Sequence, residues 1–236
     1  YDDAVFHNYD RHRLRLVRYL YGQRIDRLMS GARLVLTGNE YLADRARNAG
    51  GAWVEIMPTV VDFTRYDSCT IEKNNDFLRI VWIGSPTSMQ YLVALAPALA
   101  KLNAIRPFVL RVIGGGEFSL PGIQVECVVW SEDTEVALMK ECQIGIMPLN
   151  DTPWERGKCA YKLIQYMACG LPTVASAVGA NCEVVLDAKT GFLVTSEDQW
   201  VGRLALLLDD AKLRGEMGKA GYDRAALHYS LQITAP

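Results

Sequence analysis

The chain has 236 residues, 50% of them hydrophobic and 22% charged, with a formal net charge of -2. That composition fits an ordinary globular protein long enough for one sizeable domain and part of another. It lacks the basic excess of a nucleic-acid binder, and no apolar run reaches the roughly 18 residues of a membrane span.

The chain opens on Tyr1 rather than Met and stops at Pro236, at what reads as a helix exit, so it is expected to be part of a longer protein. Residues 11–29 place Leu14, Val17, Tyr21, Ile25 and Leu28 at helical spacing. Arg11, Arg13, Arg15, Arg18, Arg24 and Arg27 are spread around several faces of that segment, which predicts a solvated surface. A basic face toward anionic lipid, giving peripheral membrane contact, is the alternative. A strand over 32–37, a helix over 40–48 and a strand over 53–57 follow, closing at Pro58-Thr59. The polar stretch 62–76, with Asn74-Asn75-Asp76, reads as a linker and separates residues 1–75 from 76–228.

Past the linker, strands and helices alternate. A strand over 78–83 leads to a helix over 86–102, with Met89, Leu92, Val93, Ala96 and Leu99 inward. A strand over 108–113 is closed by Gly114-Gly115-Gly116, and a strand over 123–129 precedes a helix opened by Ser131. Next come a strand over 144–148, a helix begun at Lys158 and a strand over 173–175. A strand over 192–194 precedes a helix capped by Ser196 and Gln199 in a capping-box pattern, and a last helix covers 211–228. Such alternation predicts an α/β fold built on a doubly wound parallel sheet. Cys69, Cys127, Cys142, Cys159, Cys169 and Cys182 form no C-x-x-C pair and mostly sit in apolar segments, which predicts buried free thiols and a reducing cytoplasm.

Ligands of such sheets lie outside the carboxyl ends of the strands, where strand order reverses. Gly84-Ser85-Pro86-Thr87 joins the first strand of this region to its helix, with Ser85 as cap and Pro86 in the first turn, leaving N–H groups for a phosphate. The loop is neither G-x-G-x-x-G nor a Walker motif, which argues against a dinucleotide dehydrogenase and a P-loop NTPase. Lys158, Lys162 and Gln165, spaced i, i+4, i+7, predict one helix face that meets an anion. Trp130, directly after a strand, either flanks a base or plugs the sheet end. His7, His12 and His228 are expected at the surface, and no cluster with metal-ligand spacing is visible.

From Ile80 onward the chain resembles the donor-binding half of retaining glycosyltransferases of family 4. The resemblance rests on Val81-Trp82-Ile83-Gly84, on the strand from Ile144 to Leu149, on the block from Lys162 to Ser176, on Val178-Gly179 with Glu183, and on Gly191-Phe192-Leu193-Val194. Asn39-Glu40-Tyr41-Leu42-Ala43 and Pro58-Thr59-Val60-Val61-Asp62 are similar to segments that close the family's amino-terminal domain. The resemblance implies a GT-B fold: a Rossmann-like parallel-sheet donor domain over 76–228, a partial Rossmann-like domain in 1–75, and the start of a crossover segment in 229–236. It implies transfer of a sugar, with retention, from a nucleotide-diphosphate sugar to a carbohydrate or lipid-linked acceptor, without a metal or other cofactor.

The chain departs from the family where the family carries two glutamates. Gln165 stands at the second, which in the family holds ribose hydroxyls, and counting back from it reaches Gly157 rather than the first. Asp151 or Glu155 of the long 149–157 loop is the substitute for the sugar-facing acid. With no cation in the Gly84–Thr87 loop, Lys158 and Lys162, joined by Arg156, are expected to meet the diphosphate. The expected donor-binding set is therefore Gly84, Ser85, Thr87, Trp130, Asp151, Arg156, Lys158, Lys162 and Gln165. Two other readings remain open: a nucleotide-sugar binding module without catalysis, and a GT-B epimerase relative.

Overall fold

The structure, a computed structural model, describes residues 1–69 and 77–234. Contacts group them into two compact units interleaved along the chain. The first gathers Tyr1–Thr59, Asn150–Ala160 and Val178–Glu183, and the second Val60–Leu149, Tyr161–Ala177 and the chain from Val184 onward. The linker expected at 62–76 begins with a helix over Phe63–Asp67, and the expected boundary at 75–76 lies at the edge of residues outside the described set.

In the first unit, β1 (Val35–Thr37) and β2 (Val54–Ile56) pair in parallel, with the Glu40–Asn48 helix between them in sequence. That helix begins where Asn39 Oδ1 accepts the Leu42 N–H at 3.0 Å, and it buries Leu42, Ala43 and Ala46. The single helix expected over 11–29 is two helices, Arg15–Tyr21 and Arg24–Gly31, parted at Gly22. Of the apolar residues at helical spacing, Leu14, Tyr21 and Leu28 are exposed by 55%, 46% and 58%. In the Arg24–Gly31 helix the buried side chain is Met29, and Asp26 grips Arg45 through two hydrogen bonds of 2.7 and 2.9 Å. His7 is not at the surface either; it is buried, with its ring nitrogens 2.8 Å from Asp10 Oδ1 and from Tyr41 Oη.

The second unit holds a six-stranded parallel sheet: β3 (Arg79–Ile83), β4 (Val109–Ile113), β5 (Gln124–Val128), β6 (Ile144–Met147), β7 (Thr173–Ser176) and β8 (Gly191–Val194). Spatial order is β5-β4-β3-β6-β7-β8, so the chain winds outward from β3 and then returns to lay β6 on its other side. The reversal lies between β3 and β6. On one face Ile80, Trp82, Leu110, Val112, Ile144 and Val174 pack against Leu92, Leu95, Leu99 and Leu102 of the Met89–Ile105 helix and Leu204 and Leu207 of the Glu197–Asp209 helix. Val93, expected inward, is 55% exposed, because the buried stripe runs 92, 95, 99, 102 at true helical spacing. Ser196 caps the Glu197–Asp209 helix as expected, its Oγ accepting the Gln199 N–H at 3.3 Å. Among the cysteines, Cys142 and Cys169 are buried while Cys127 and Cys182 are exposed, and all six are free.

Tyr166 closes the seam at the reversal. β3 and β6 pair only at Ile80–Ile144 and Val81–Gly145, so the Ile83 N–H is left beyond the ladder. The Tyr166 hydroxyl accepts that N–H at 2.9 Å and donates to Ile146 O at 3.3 Å. Gly145 makes room for it, since a Cβ there would lie 2.4 Å from the Tyr166 ring.

Candidate functional site

A cavity of about 590 Å³ opens where β3, β4 and β5 end, beside the Tyr161–Ala168 helix that follows β6. Ile83, Gly84, Ser85, Pro86 and Lys162 form one end. Trp130, Glu132, Glu135, Gln165, Tyr161 and Arg65 form the other, and Gly114 lies on its wall. This is the reversal point at which parallel sheets bind ligands.

Backbone geometry builds the first end. A Cβ on Gly84 would lie 2.6 Å from Lys162 Nζ and 2.7 Å from both Ser88 Oγ and the Trp82 ring, so only glycine lets the ammonium reach the backbone here. Lys162 Nζ sits 4.5 Å from the centre of the Trp82 ring, a cation–π contact. Gly114 has a φ of +78°, and a Cβ on it would meet Gly84 O at 2.8 Å. Ser85 does not cap the helix as expected: its Oγ bonds Thr87 Oγ1 at 2.8 Å, and a 3-10 turn over Pro86–Ser88 precedes the α-helix. The Ser88 N–H is used within that turn, donating to Ser85 O, whereas those of Ser85 and Thr87 find no backbone acceptor among the described residues. The helix start thus offers donors next to Lys162.

The second end is a hydrogen-bonded cluster around Glu135, which is 4% exposed. Glu135 Oε2 accepts from Trp130 Nε1 at 2.7 Å and from Gln165 Nε2 at 3.4 Å, and its Oε1 lies 3.3 Å from an Arg65 guanidinium nitrogen. Arg65 also pairs with Glu132 at 3.2 Å. Gln165, 2% exposed, shares a further hydrogen bond with the Tyr66 hydroxyl. Burial, with the Glu135 charge added to it, pushes the Tyr161 hydroxyl up from its usual range, so it stays a donor at neutral pH. Arg65, Glu132, Glu135 and Tyr161 were not expected at the site. An acidic first turn after a sheet-end tryptophan hinted at Glu135; Arg65, inside the expected linker, carried no signal.

The expected stripe of Lys158, Lys162 and Gln165 does not exist as one helix face. Ala160 takes a left-handed φ of +54° and the helix starts at Tyr161, leaving Lys158 before it in the first unit. There the Lys158 carbonyl accepts from Asn39 Nδ2 at 3.0 Å, and its ammonium lies 3.8 Å from Asp3 Oδ1 and 5.9 Å from the Trp154 ring centre. Asp151 and Arg156, also in the first unit, bond each other at 2.7 and 3.0 Å. None of the three lines the cavity, and neither does Thr87. Glu155 is buried and hydrogen-bonded to Thr152 Oγ1.

Among the described residues no group of three or more His, Cys, Asp or Glu is placed to hold a metal ion, and no helix is long and apolar enough to cross a membrane.

The family model described as Glycosyl transferases group 1 matches residues 78–210, more than half of the chain. The D-inositol 3-phosphate glycosyltransferase of Arthrobacter sp. (strain FB24) is 40% identical over 67 residues, 28% of this chain and 15% of that protein. Its counterpart from Corynebacterium diphtheriae is 40% identical over 65 residues, 27% of this chain and again 15% of that protein. The aligned part is therefore a small share of these relatives. The sucrose-phosphate synthase of Thermosynechococcus elongatus superposes with a TM-score of 0.74 at 16% identity, over 96% of this chain and 60% of that one. HepE of Anabaena, solved in complex with UDP-glucose, gives 0.69 at 18% identity, over 90% of this chain and 65% of that one. At such identities the superpositions establish a shared fold, that of GT-B glycosyltransferases.

Proposed function

Since the chain belongs to the group 1 glycosyl transferases, we propose that its second unit binds a nucleotide-diphosphate sugar in the cavity at the β3–β6 reversal, for transfer of the sugar to a carbohydrate or lipid-linked acceptor. The polarity of the cavity carries this reading. One end offers an ammonium and helix-start N–H groups on a glycine floor, and the other an aromatic ring, a buried carboxylate and an amide. A diphosphate suits the first end and a nucleoside the second. The UDP-glucose complex of HepE supports a donor of this class.

Breaking the anomeric C–O bond puts growing negative charge on the departing diphosphate. Lys162 and the N–H group of Ser85 stabilise that charge more in the transition state than in the bound donor. In this reading the ammonium does what a divalent cation does elsewhere, so transfer proceeds without a metal, and with retention. Calorimetry with UDP, GDP and ADP is the test: at least one is expected to bind with a Kd between about 1 μM and 1 mM. A folded sample silent to all three would sink the donor-site reading.

A further inference from the structure

We propose that Glu135 is a positioning residue of the cavity: it holds Trp130 and Gln165 in their binding poses and supplies the buried negative charge of this end, beside the exposed Glu132. The inference rests on the donor-site reading above. A carboxylate 4% exposed is expensive to bury unless it is paired and its oxygens are occupied. Here the pairing is divided between the two oxygens. Oε1 faces Arg65, which comes from the Phe63–Asp67 helix, while Oε2 takes the Trp130 indole N–H and the Gln165 amide.

Neither partner is held so well without it. Trp130 is 50% exposed, and its 2.7 Å bond to Glu135 fixes the ring of a side chain that otherwise stands in solvent. Gln165 has one amide hydrogen bond to Glu135, which settles which way its oxygen and nitrogen point. The same distance limits the charge. A glutamate at 165 would set a second carboxylate about 3.4 Å from the first, a like-charge repulsion that Arg65, already shared with Glu132, offsets only in part.

The test uses Glu135→Gln, Gln165→Glu and the exchange of both, each assayed by calorimetry against the nucleoside diphosphate that the unaltered chain binds best and against its nucleoside, from pH 5.5 to 8, with thermal unfolding in parallel. Glu135→Gln is expected to weaken both ligands by about tenfold. Gln165→Glu is expected to weaken them tenfold or more at pH 8 and less at pH 5.5, where one carboxyl takes a proton and serves as the donor that the amide was. The double exchange restores one carboxylate facing one amide and is expected to bind within about threefold of the unaltered chain. Unchanged affinity in Glu135→Gln, or a double variant as weak as the worse single one, would overturn the positioning role. If all variants lose binding only in proportion to lost folding, the cluster is structural and the proposal fails. Failure of the unaltered chain to bind any nucleotide would instead strike the donor-site reading itself.

Discussion

The second unit has cavities at both ends of its sheet, and the larger is the less equipped. About 1,050 Å³ opens at the amino ends of the strands, beside Leu78, Val109, Gln124 and Gln143, against about 590 Å³ at the carboxyl ends. Polar groups at the larger one are taken up in holding the fold. Arg214 donates to Leu207 O and Leu208 O, Arg106 pairs with Asp209 at 2.9 Å, Asn103 donates to Gly122 O, and Gln143 Oε1 accepts the Arg79 N–H. At the smaller one the backbone is thinned to glycine beside an ammonium, and a carboxylate is buried against an exposed indole. Helix starts lie at both cavities, but the one at Ala211 beside the larger is capped by Asp210, whose carboxylate accepts the Leu213 N–H at 2.8 Å. Volume alone does not mark a site; an ammonium, a buried carboxylate and an indole gathered where the strands end do.

Variants at both ends can break that comparison. The largest effect is expected from Lys162→Met, which should weaken nucleoside diphosphate binding by about 1.5–3 kcal/mol, the scale of a charge-assisted hydrogen bond, while leaving nucleoside binding nearly unchanged. Equal losses for both ligands in calorimetry would contradict the phosphate end. Tyr166→Phe should lower unfolding stability by about 1–3 kcal/mol, because it strands the buried Ile83 N–H; a denaturation midpoint like that of the unaltered chain would refute the seam. At the amino end, Arg106→Ala removes an exposed ion pair and should cost less than about 1 kcal/mol of stability. Its nucleotide affinity should not move, and a clear drop would mean that the larger cavity takes part. The smallest effect is expected from EDTA, which should leave nucleotide affinity where it was, whereas added salt should weaken it through partly exposed charge. A metal-dependent affinity would require a carboxylate to hold an ion against the phosphates.

Much of the fold was legible in the sequence because apolar β-branched runs and helical periodicity report burial directly, as at 78–83 and 40–48. So was the glycine loop, whose strand-to-helix position follows from that pattern. The Lys158–Lys162–Gln165 stripe was misread because spacing cannot reveal a left-handed residue such as Ala160. Leu14, Tyr21 and Leu28 recur at helical spacing yet are exposed, because burial depends on what packs nearby and not on spacing alone. Arg65 could not be found at all: it meets Glu135 from 70 residues away, through tertiary packing alone. That Gln165 stands where the family carries a glutamate was legible in the sequence; that the Glu135 carboxylate lies 3.4 Å from its amide was not.

Lys162 has one further consequence, and it is optical. Its ammonium lies over the ring of Trp82, an indole 1% exposed and shielded from solvent quenching. An anion that draws the ammonium from the ring changes the electric field on that chromophore. The chain has five tryptophans, Trp130 of the same cavity among them, so the ligand-dependent part of the emission that Trp82→Phe removes is the gauge of whether the glycine floor is occupied.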